Sequence, residues 1–170
     1  MGAIEFDKAI DRLKDTGLSI NHDIINFGIS DAKKHLADGI KYFVENPKWF
    51  KEYDNIVDWL SDNKGRGLML NGMCGLGKTL ICTRIIPILL NSYCNKITTV
   101  INAQQMNDNI DLYLKKPILV IDDVGTEDIS VTYGNKRIAF AEIVDNAEKN
   151  GKILIITTNL SASEIKDKYG

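Results

Sequence analysis

Residues 72–79 have the composition and spacing of a loop that binds phosphate. The run Gly-Met-Cys-Gly-Leu-Gly-Lys-Thr has three glycines among the six residues before Lys78. Glycine permits turns that point several backbone N–H groups at one anion, Lys78 adds a mobile positive charge, and Thr79 offers a hydroxyl to Mg²⁺. The apolar residues 68–70 predict a strand, and the apolar stretch from Leu80 predicts a helix whose N-terminus faces the anion. This arrangement predicts a nucleotide-binding site.

The candidate binding residues form one continuous segment. They are Gly72, Met73, Cys74, Gly75, Leu76, Gly77, Lys78, Thr79 and Leu80. Within this segment Lys78 is the predicted catalytic residue at the β- and γ-phosphates, and Thr79 is a predicted ligand of Mg²⁺.

Two acidic residues, Asp122 and Asp123, follow the apolar run 118–121. Four consecutive apolar residues indicate a strand buried on both faces, which is typical of a parallel sheet. Carboxylates at the end of such a strand are costly unless a cation lies there, and Mg²⁺ bound to a nucleotide is the obvious candidate. We assign Asp122 to the metal, through its water shell. Asp123 is then placed to orient or deprotonate the attacking water as a catalytic residue.

Asn159 follows another apolar strand, which begins at Lys152. Its neutral amide could position the hydrolytic water or contact the γ-phosphate, so Asn159 is a third catalytic candidate. An asparagine after a strand is also a common helix cap, and Asn159 could cap the segment that starts at Ser161. Because this strand follows the acidic strand in the expected order, the catalytic role is favoured.

The composition is that of an ordinary soluble globular protein. The chain has 170 residues, of which 44% are hydrophobic and 26% charged, enough for one domain with a core. A formal net charge of −2 does not indicate a broad nucleic-acid-binding surface. The three cysteines and two histidines lack a zinc-binding spacing, which favours reduced thiols and a cytoplasmic location. No apolar stretch approaches the length of a membrane span, so no membrane contact is expected.

The pattern along the chain changes near residue 64. Residues 1–63 are predicted to form helices that pack on the rest of the molecule, with a partner-docking surface as the alternative for residues 1–28. Residues 64–170 alternate strands and helices, which predicts a parallel α/β sheet with right-handed crossovers. Predicted strands lie at 67–71, 97–101, 118–122 and 152–157, and predicted helices at 78–91, 103–115, 135–149 and from Ser161. Pro87 predicts a kink or irregular turn, and residues 125–134 are predicted as a loop.

The phosphate loop alone fits kinases, GTPases and ATPases. Asp122 and Gly125 also have the D-x-x-G spacing of GTPases, and Thr98 or Thr99 could then serve as a switch threonine. The chain has no N-K-x-D motif for reading guanine. The double acid and the Thr-Thr-Asn strand end favour an ATPase that activates water.

Three segments, 65–79, 118–125 and 155–165, together resemble the AAA+ ATPases that load replicative helicases. These are the DnaC-like helicase loaders, and the IstB-like transposition helper ATPases are their relatives. The resemblance covers roughly residues 30–170, and its most specific part is the run Thr-Thr-Asn-Leu-Ser. It identifies the phosphate loop as the Walker A motif, Asp122 and Asp123 as the Walker B pair, and Asn159 as sensor 1.

The resemblance implies an α/β P-loop fold of the AAA+ type, with a parallel sheet of order 2-3-4-1 flanked by helices. The strand at 153–157 then lies between 67–71 and 118–122, whereas in GTPases and kinases those two strands pair directly. A fifth strand, a lid and an arginine finger follow Gly170 in the family, so we expect this chain to lack them. The strand at 67–71 should therefore be a sheet edge.

The resemblance also implies ATP or ADP with Mg²⁺ as cofactors and ATP hydrolysis as the activity. The implied partners are a replicative DNA helicase and single-stranded DNA, with a homo-oligomer forming on ATP binding. None of Arg12, Arg66, Arg84 and Arg137 matches the position of the family's arginine finger. A transposition helper ATPase and a non-hydrolysing, nucleotide-dependent binding module remain alternatives, and a GTPase or nucleotide kinase is less favoured.

Overall fold

Four parallel strands form the central sheet. The computed structural model describes Glu5, Lys8 and residues 24–72, 75–127, 130–132 and 135–170. The strands in chain order are β1 Leu68–Asn71, β2 Thr99–Asn102, β3 Ile118–Val124, β4 Ser130–Thr132, β5 Asn135–Arg137 and β6 Ile153–Thr158. In the described part of the chain the sheet runs β1-β6-β3-β2, and β4 pairs with β5 in a separate hairpin.

The position of β6 decides the class of P-loop fold. It pairs with β1 on one side and with β3 on the other, and every pair in the four-stranded sheet is parallel. With the sheet strands numbered along the chain, this is the order 2-3-4-1, and the prediction is confirmed. Among the described strands β1 has β6 as its one neighbour, so β1 is an edge as predicted, and it does not pair with β3. The protein therefore has an α/β P-loop fold with an additional strand between β1 and β3.

Helices cover both faces of this sheet. They are α1 Ala32–Phe43, α2 Tyr53–Ser61, α3 (Lys78–Leu80, Ile81–Ile85 and Ile86–Cys94 in succession), a 3₁₀ helix Ala103–Asn107, α4 Ile110–Tyr113, α5 Ala139–Lys149 and α6 Ala162–Tyr169. The middle section of α3, Ile81–Ile85, is π-helical. Pro87 lies just after it and has no N–H to donate within the helix, so the predicted irregularity at this proline is confirmed. Each described helix is too short or too polar to span a bilayer.

The buried strands divide the core into two apolar clusters. Ile118 and Val120 of β3 pack with α1, α2 and α3, whereas Leu119 and Ile121 pack with α5 and the 3₁₀ helix on the other face. Successive side chains of a strand point to opposite faces, so both sets of residues are buried at once. The continuous apolar run in β3 is thus explained by two covered faces.

Two predicted elements differ from the structure. The single helix predicted at 103–115 is wrong, because Asn102 caps the 3₁₀ helix and Asn109 starts α4 by accepting a hydrogen bond from the Leu112 N–H at 3.1 Å. The loop predicted at 125–134 contains β4, which pairs antiparallel with β5, and α5 begins at Ala139. Strands of three residues are too short to produce a recognisable alternation of apolar and polar residues.

Asn63 joins the segment before α1 to the end of α2. It is fully buried, its Oδ1 accepts a hydrogen bond from the Phe27 N–H at 2.8 Å, and its Nδ2 donates to the Ile25 carbonyl at 2.9 Å. Phe27 also packs edge-on against the Trp59 ring, at 5.0 Å between centroids. The chain before α1 is therefore held against α2 by a buried amide and an aromatic pair. Apart from Glu5 and Lys8, the predictions for residues 1–23 lie outside the described residues.

Replacing Asn63 with alanine should destabilise the protein by about 2 kcal/mol, because the Phe27 N–H and the Ile25 carbonyl each lose a buried partner. Chemical denaturation measures this change in the free energy of unfolding. Asn55→Ala, at an exposed position of α2, is the matched control and should change stability little. Equal effects of the two variants would contradict the role given to Asn63.

Candidate nucleotide-binding site

The backbone of the phosphate loop adopts conformations that favour glycine. Gly75 has φ +93° and Gly77 has φ +69°, both in a region that other residues rarely occupy. The Gly77 carbonyl also accepts a hydrogen bond from the Ile81 N–H at 2.9 Å, and Gly77 is the N-cap residue of α3. The loop therefore leads directly into a helix N-terminus, where unpaired N–H groups favour an anion. Met73 and Cys74, two of the predicted binding residues, lie outside the described residues.

A cavity of about 670 Å³ opens beside this loop. It is lined by Gly75, Gly77, Lys78, Thr79, Leu80, Thr83, Arg84, Asp123, Thr126 and Asn159. Its volume lies in the range of small-molecule sites. Most of these residues were predicted from the sequence, but Thr83, Arg84 and Thr126 were not. The spacing of Thr79 and Thr83, four residues apart on one helix, is the signal that could have found Thr83.

Lys78 and Asn159 meet in this cavity. The Nζ of Lys78 donates to the Gly72 carbonyl at 2.5 Å and to Oδ1 of Asn159 at 3.0 Å. The two residues are 81 positions apart in the chain. They meet because β6, which ends just before Asn159, lies directly beside β1, which leads into the phosphate loop. The predicted proximity of Asn159 to Lys78 thus follows from the strand order.

The alternative role of Asn159 as a helix cap does not occur. The residue that caps α6 is Ser161, whose N–H donates to the Glu164 carboxylate at 2.7 Å and whose hydroxyl accepts from the Glu164 N–H. These reciprocal bonds form a capping box. The amide of Asn159 is therefore used at the cavity and not at the start of α6.

The two acids at the end of β3 have different environments. Asp123 is exposed and lines the cavity, whereas Asp122 is half-buried and is not among the lining residues. Burial, and to a smaller degree the negative charge of Asp122, raises the pKa of the Cys82 thiol to about 12. Ile118 and Val120 of the same strand pack with α3, so the alternation of side chains along β3 puts Asp122 on the face of the sheet that is covered by α3.

Tyr53 supports the loop from outside and was not predicted as a site residue. Its hydroxyl donates to the Leu76 carbonyl at 3.1 Å, and a Cβ at position 77 would lie 3.3 Å from the Tyr53 hydroxyl oxygen. The ring packs edge-on against Trp49 and Phe50, each at 5.4 Å between centroids. Burial, and then the charge of Glu52, raises the pKa of Tyr53. In the sequence Tyr53 is one of several core-facing aromatic residues, and nothing local singles it out.

Replacing Tyr53 with phenylalanine should lower stability by about 1 kcal/mol, because the Leu76 carbonyl loses its donor. It should also reduce the thermal stabilisation that ATP produces, since the loop is then held less firmly. Thermal unfolding with and without ATP measures both effects. Tyr42→Phe is the control, because Tyr42 is 83% exposed on α1. A full ATP-induced shift in the Tyr53 variant would mean that this hydroxyl does not support the loop.

The donor groups at the site fit a nucleotide with Mg²⁺. The hydroxyl of Thr79 and the carboxylate of Asp122 are oxygen ligands of the kind that Mg²⁺ takes, in the small number usual when substrate phosphates and water complete the shell. Within the described residues no group of three or more His, Cys, Asp or Glu side chains could hold a metal ion. The cationic side chains of Lys78 and Arg84 line the same cavity and favour an anionic ligand.

Comparison with known proteins gives structural neighbours only. No protein-family model and no curated protein matches the chain. Among solved structures, it is similar to the crystal structure of DnaI, with 18% identity over 91% of this chain and 79% of that chain and a TM-score of 0.46. It is also similar to the crystal structure of the DnaC helicase loader, with 22% identity over 87% of this chain and 82% of that chain and a TM-score of 0.43.

Proposed function

We propose that this protein binds ATP with Mg²⁺ and hydrolyses it to ADP and phosphate, as an AAA+ ATPase of the helicase-loader kind. The contact of Lys78 with Asn159 at 3.0 Å is the observation that carries the proposal. It joins the residue expected at the β- and γ-phosphates to a neutral amide that directly follows the inserted strand. A GTPase or nucleotide kinase would have β1 beside β3 and no such amide at this point.

Each side chain at the cavity has a distinct task in this proposal. Lys78 and the N–H groups of the phosphate loop bind the phosphate oxygens, and their positive charge stabilises the charge that develops during phosphoryl transfer. Asp123, which reaches the cavity, orients or deprotonates the attacking water. Asn159 holds Lys78 and lies where its amide can contact that water or the γ-phosphate.

Thr79 and Asp122 are the residues proposed to hold Mg²⁺. When bound, the metal neutralises charge on the β- and γ-phosphate oxygens. The different exposure of the two acids supports the division of roles, since Asp123 is exposed and lines the cavity, whereas Asp122 is half-buried and is not among the lining residues. Mg²⁺ usually keeps several waters in its shell, so a contact through water does not require Asp122 to line the cavity itself.

A single-turnover assay tests the ATPase proposal. The protein, in excess over γ-labelled nucleotide and with Mg²⁺, should release phosphate from ATP and bind GTP or nucleoside monophosphates less well. Equal use of GTP, or transfer of phosphate to a nucleoside monophosphate, would contradict the proposal. Tight ATP binding without any phosphate release would favour the non-hydrolysing binding module, in which ATP only orders the site.

The loader role rests on the three resembling segments, of which the Thr-Thr-Asn-Leu-Ser run at 157–161 is the most specific. In this role the cytoplasmic protein forms an oligomer on ATP binding and places a replicative DNA helicase on single-stranded DNA. A helicase-loading assay tests this role. Single-stranded DNA is first coated with a single-strand-binding protein, and the amount of helicase loaded on it is then measured. Loading should require both this protein and ATP. ATP-dependent binding to a transposase, with no effect on helicase loading, would favour the transposition helper.

A further inference from the structure

We propose that Thr157 is a positioning residue that sets the direction of both acids at the end of β3. This inference rests on the proposed ATPase function, because it assigns a partner to the two carboxylates of that site. Thr157 belongs to β6, the inserted strand, and is fully buried. It does not line the cavity and so acts only through its neighbours.

The pairing of β3 with β6 contains a bulge at the acids. Ile121 pairs with Ile156 and Val124 pairs with Thr158, so two residues of β3 stand opposite one residue of β6. The two residues are Asp122 and Asp123, and the single residue is Thr157. Bulges bend a strand and re-aim its side chains, and they are common beside active sites. Here the bulge lets consecutive residues, which would otherwise point to opposite faces, both serve one site.

The Thr157 hydroxyl is bonded to both residues of the bulge. It donates its proton to Oδ1 of Asp122 at 2.6 Å and accepts a hydrogen bond from the Asp123 N–H at 2.9 Å. One bond fixes the rotation of the Asp122 carboxylate, and the other fixes the peptide that carries Asp123. A single buried hydroxyl therefore orients the metal ligand and the water-directing acid together.

The backbone at Asp123 needs such support. Its φ is +57°, in the left-handed region, which residues with a side chain adopt only occasionally because the Cβ crowds the backbone there. The following turn adds two bonds to the Asp123 carbonyl, from the Thr126 N–H at 3.2 Å and from the Thr126 hydroxyl at 2.8 Å. With Thr157 on its N–H and Thr126 on its carbonyl, the strained residue is held from both sides. Its side chain is directed into the cavity as a result.

Thr158 offers a matched control at the next position. It is also fully buried, and its hydroxyl donates to the Val124 carbonyl at 2.7 Å and accepts from the Leu160 N–H at 3.0 Å. It therefore has the same burial and the same number of hydrogen bonds as Thr157, but both go to backbone groups and neither goes to an acid. Comparison of the two threonines separates an effect on the acids from a general loss of stability.

The test compares Thr157→Val, Thr157→Ser and Thr158→Val in the full chain. Valine keeps the shape of threonine and removes the hydroxyl, whereas serine keeps the hydroxyl. We expect Thr157→Val to lose most of the Mg²⁺-dependent gain in ATP affinity and to slow single-turnover hydrolysis by roughly tenfold to a hundredfold. Thr157→Ser should retain both properties. Thr158→Val should lose comparable thermal stability and still retain the Mg²⁺ dependence.

Amide hydrogen exchange of Asp123 supplies a readout that needs no nucleotide. Its N–H should exchange faster in Thr157→Val than in the unaltered protein, and remain protected in Thr157→Ser and Thr158→Val. Unchanged exchange and unchanged Mg²⁺ dependence in Thr157→Val would overturn the inference, as would equal losses in Thr158→Val. An unaltered protein that fails to hydrolyse ATP would instead contradict the proposed function, and the exchange of the Asp123 amide would still decide the role of Thr157.

Discussion

Asp123→Asn is expected to slow single-turnover ATP hydrolysis by roughly 10²–10⁴-fold while ATP affinity changes little. Asparagine has nearly the same shape as aspartate but cannot accept a proton from water. Asp123 lines the cavity and is exposed, and the hydrogen bond from its N–H to Thr157 does not involve the side chain. The variant should therefore keep the bulge and lose only the carboxylate.

The matched substitution is Asp122→Asn, the neighbouring acid in the same strand. We expect it to weaken the Mg²⁺ dependence of ATP binding, because Asp122 is the proposed metal ligand. Calorimetric titration of ATP with and without Mg²⁺, together with the single-turnover rate, distinguishes the two variants. If both acids alter binding and turnover in the same way, the division of roles between them is wrong.

Lys78→Ala is expected to weaken ATP–Mg²⁺ binding by about 3 kcal/mol, or roughly a hundredfold. The ammonium group would form charge-assisted hydrogen bonds to the phosphates, and these are stronger than bonds between neutral groups. The loss should not exceed this size, because the backbone N–H groups of the loop still bind the anion. Calorimetric titration measures the change in affinity directly.

Lys149→Ala is the control for removal of a lysine. Lys149 is an exposed residue at the end of α5, and its ion pair with Asp145 at 2.7 Å is 70% and 60% exposed at the two side chains. Such surface pairs contribute little to stability. ATP affinity should be the same in this variant as in the unaltered protein. Unchanged affinity in Lys78→Ala would mean that the phosphates are not bound at this loop.

The elements that carry the chemistry could be predicted from short stretches of sequence. The phosphate loop at 72–79 requires glycines at fixed local positions, and the acids after the apolar run 118–121 indicate the polar end of a buried strand. These features depend on residues close together in the chain, so their spacing predicts their local structure. The strand order could be predicted only through the resemblance to a family, because an apolar run indicates a buried strand but does not specify which other strand it pairs with.

The elements that were predicted wrongly depend on competition between local signals. The region 103–115 contains enough helix-compatible residues to suggest one helix, but Asn102 and Asn109 each start a separate short one. The hairpin of β4 and β5 has only three residue pairs, which are too few to leave a periodic pattern in the sequence. Local propensity is weak over so few residues, and side-chain caps and pairing partners decide the outcome.

Taken by itself, the sequence determined which residues could bind phosphate and which could place a charged side chain at the site. Only the tertiary structure decided how they are held: Lys78 against Asn159, Tyr53 against the phosphate loop, and Thr157 against both acids. The physical reason is that a hydrogen bond requires atoms within about 3 Å of each other. Contacts between residues 23 to 81 positions apart therefore depend on strand register and helix packing, which no local pattern specifies.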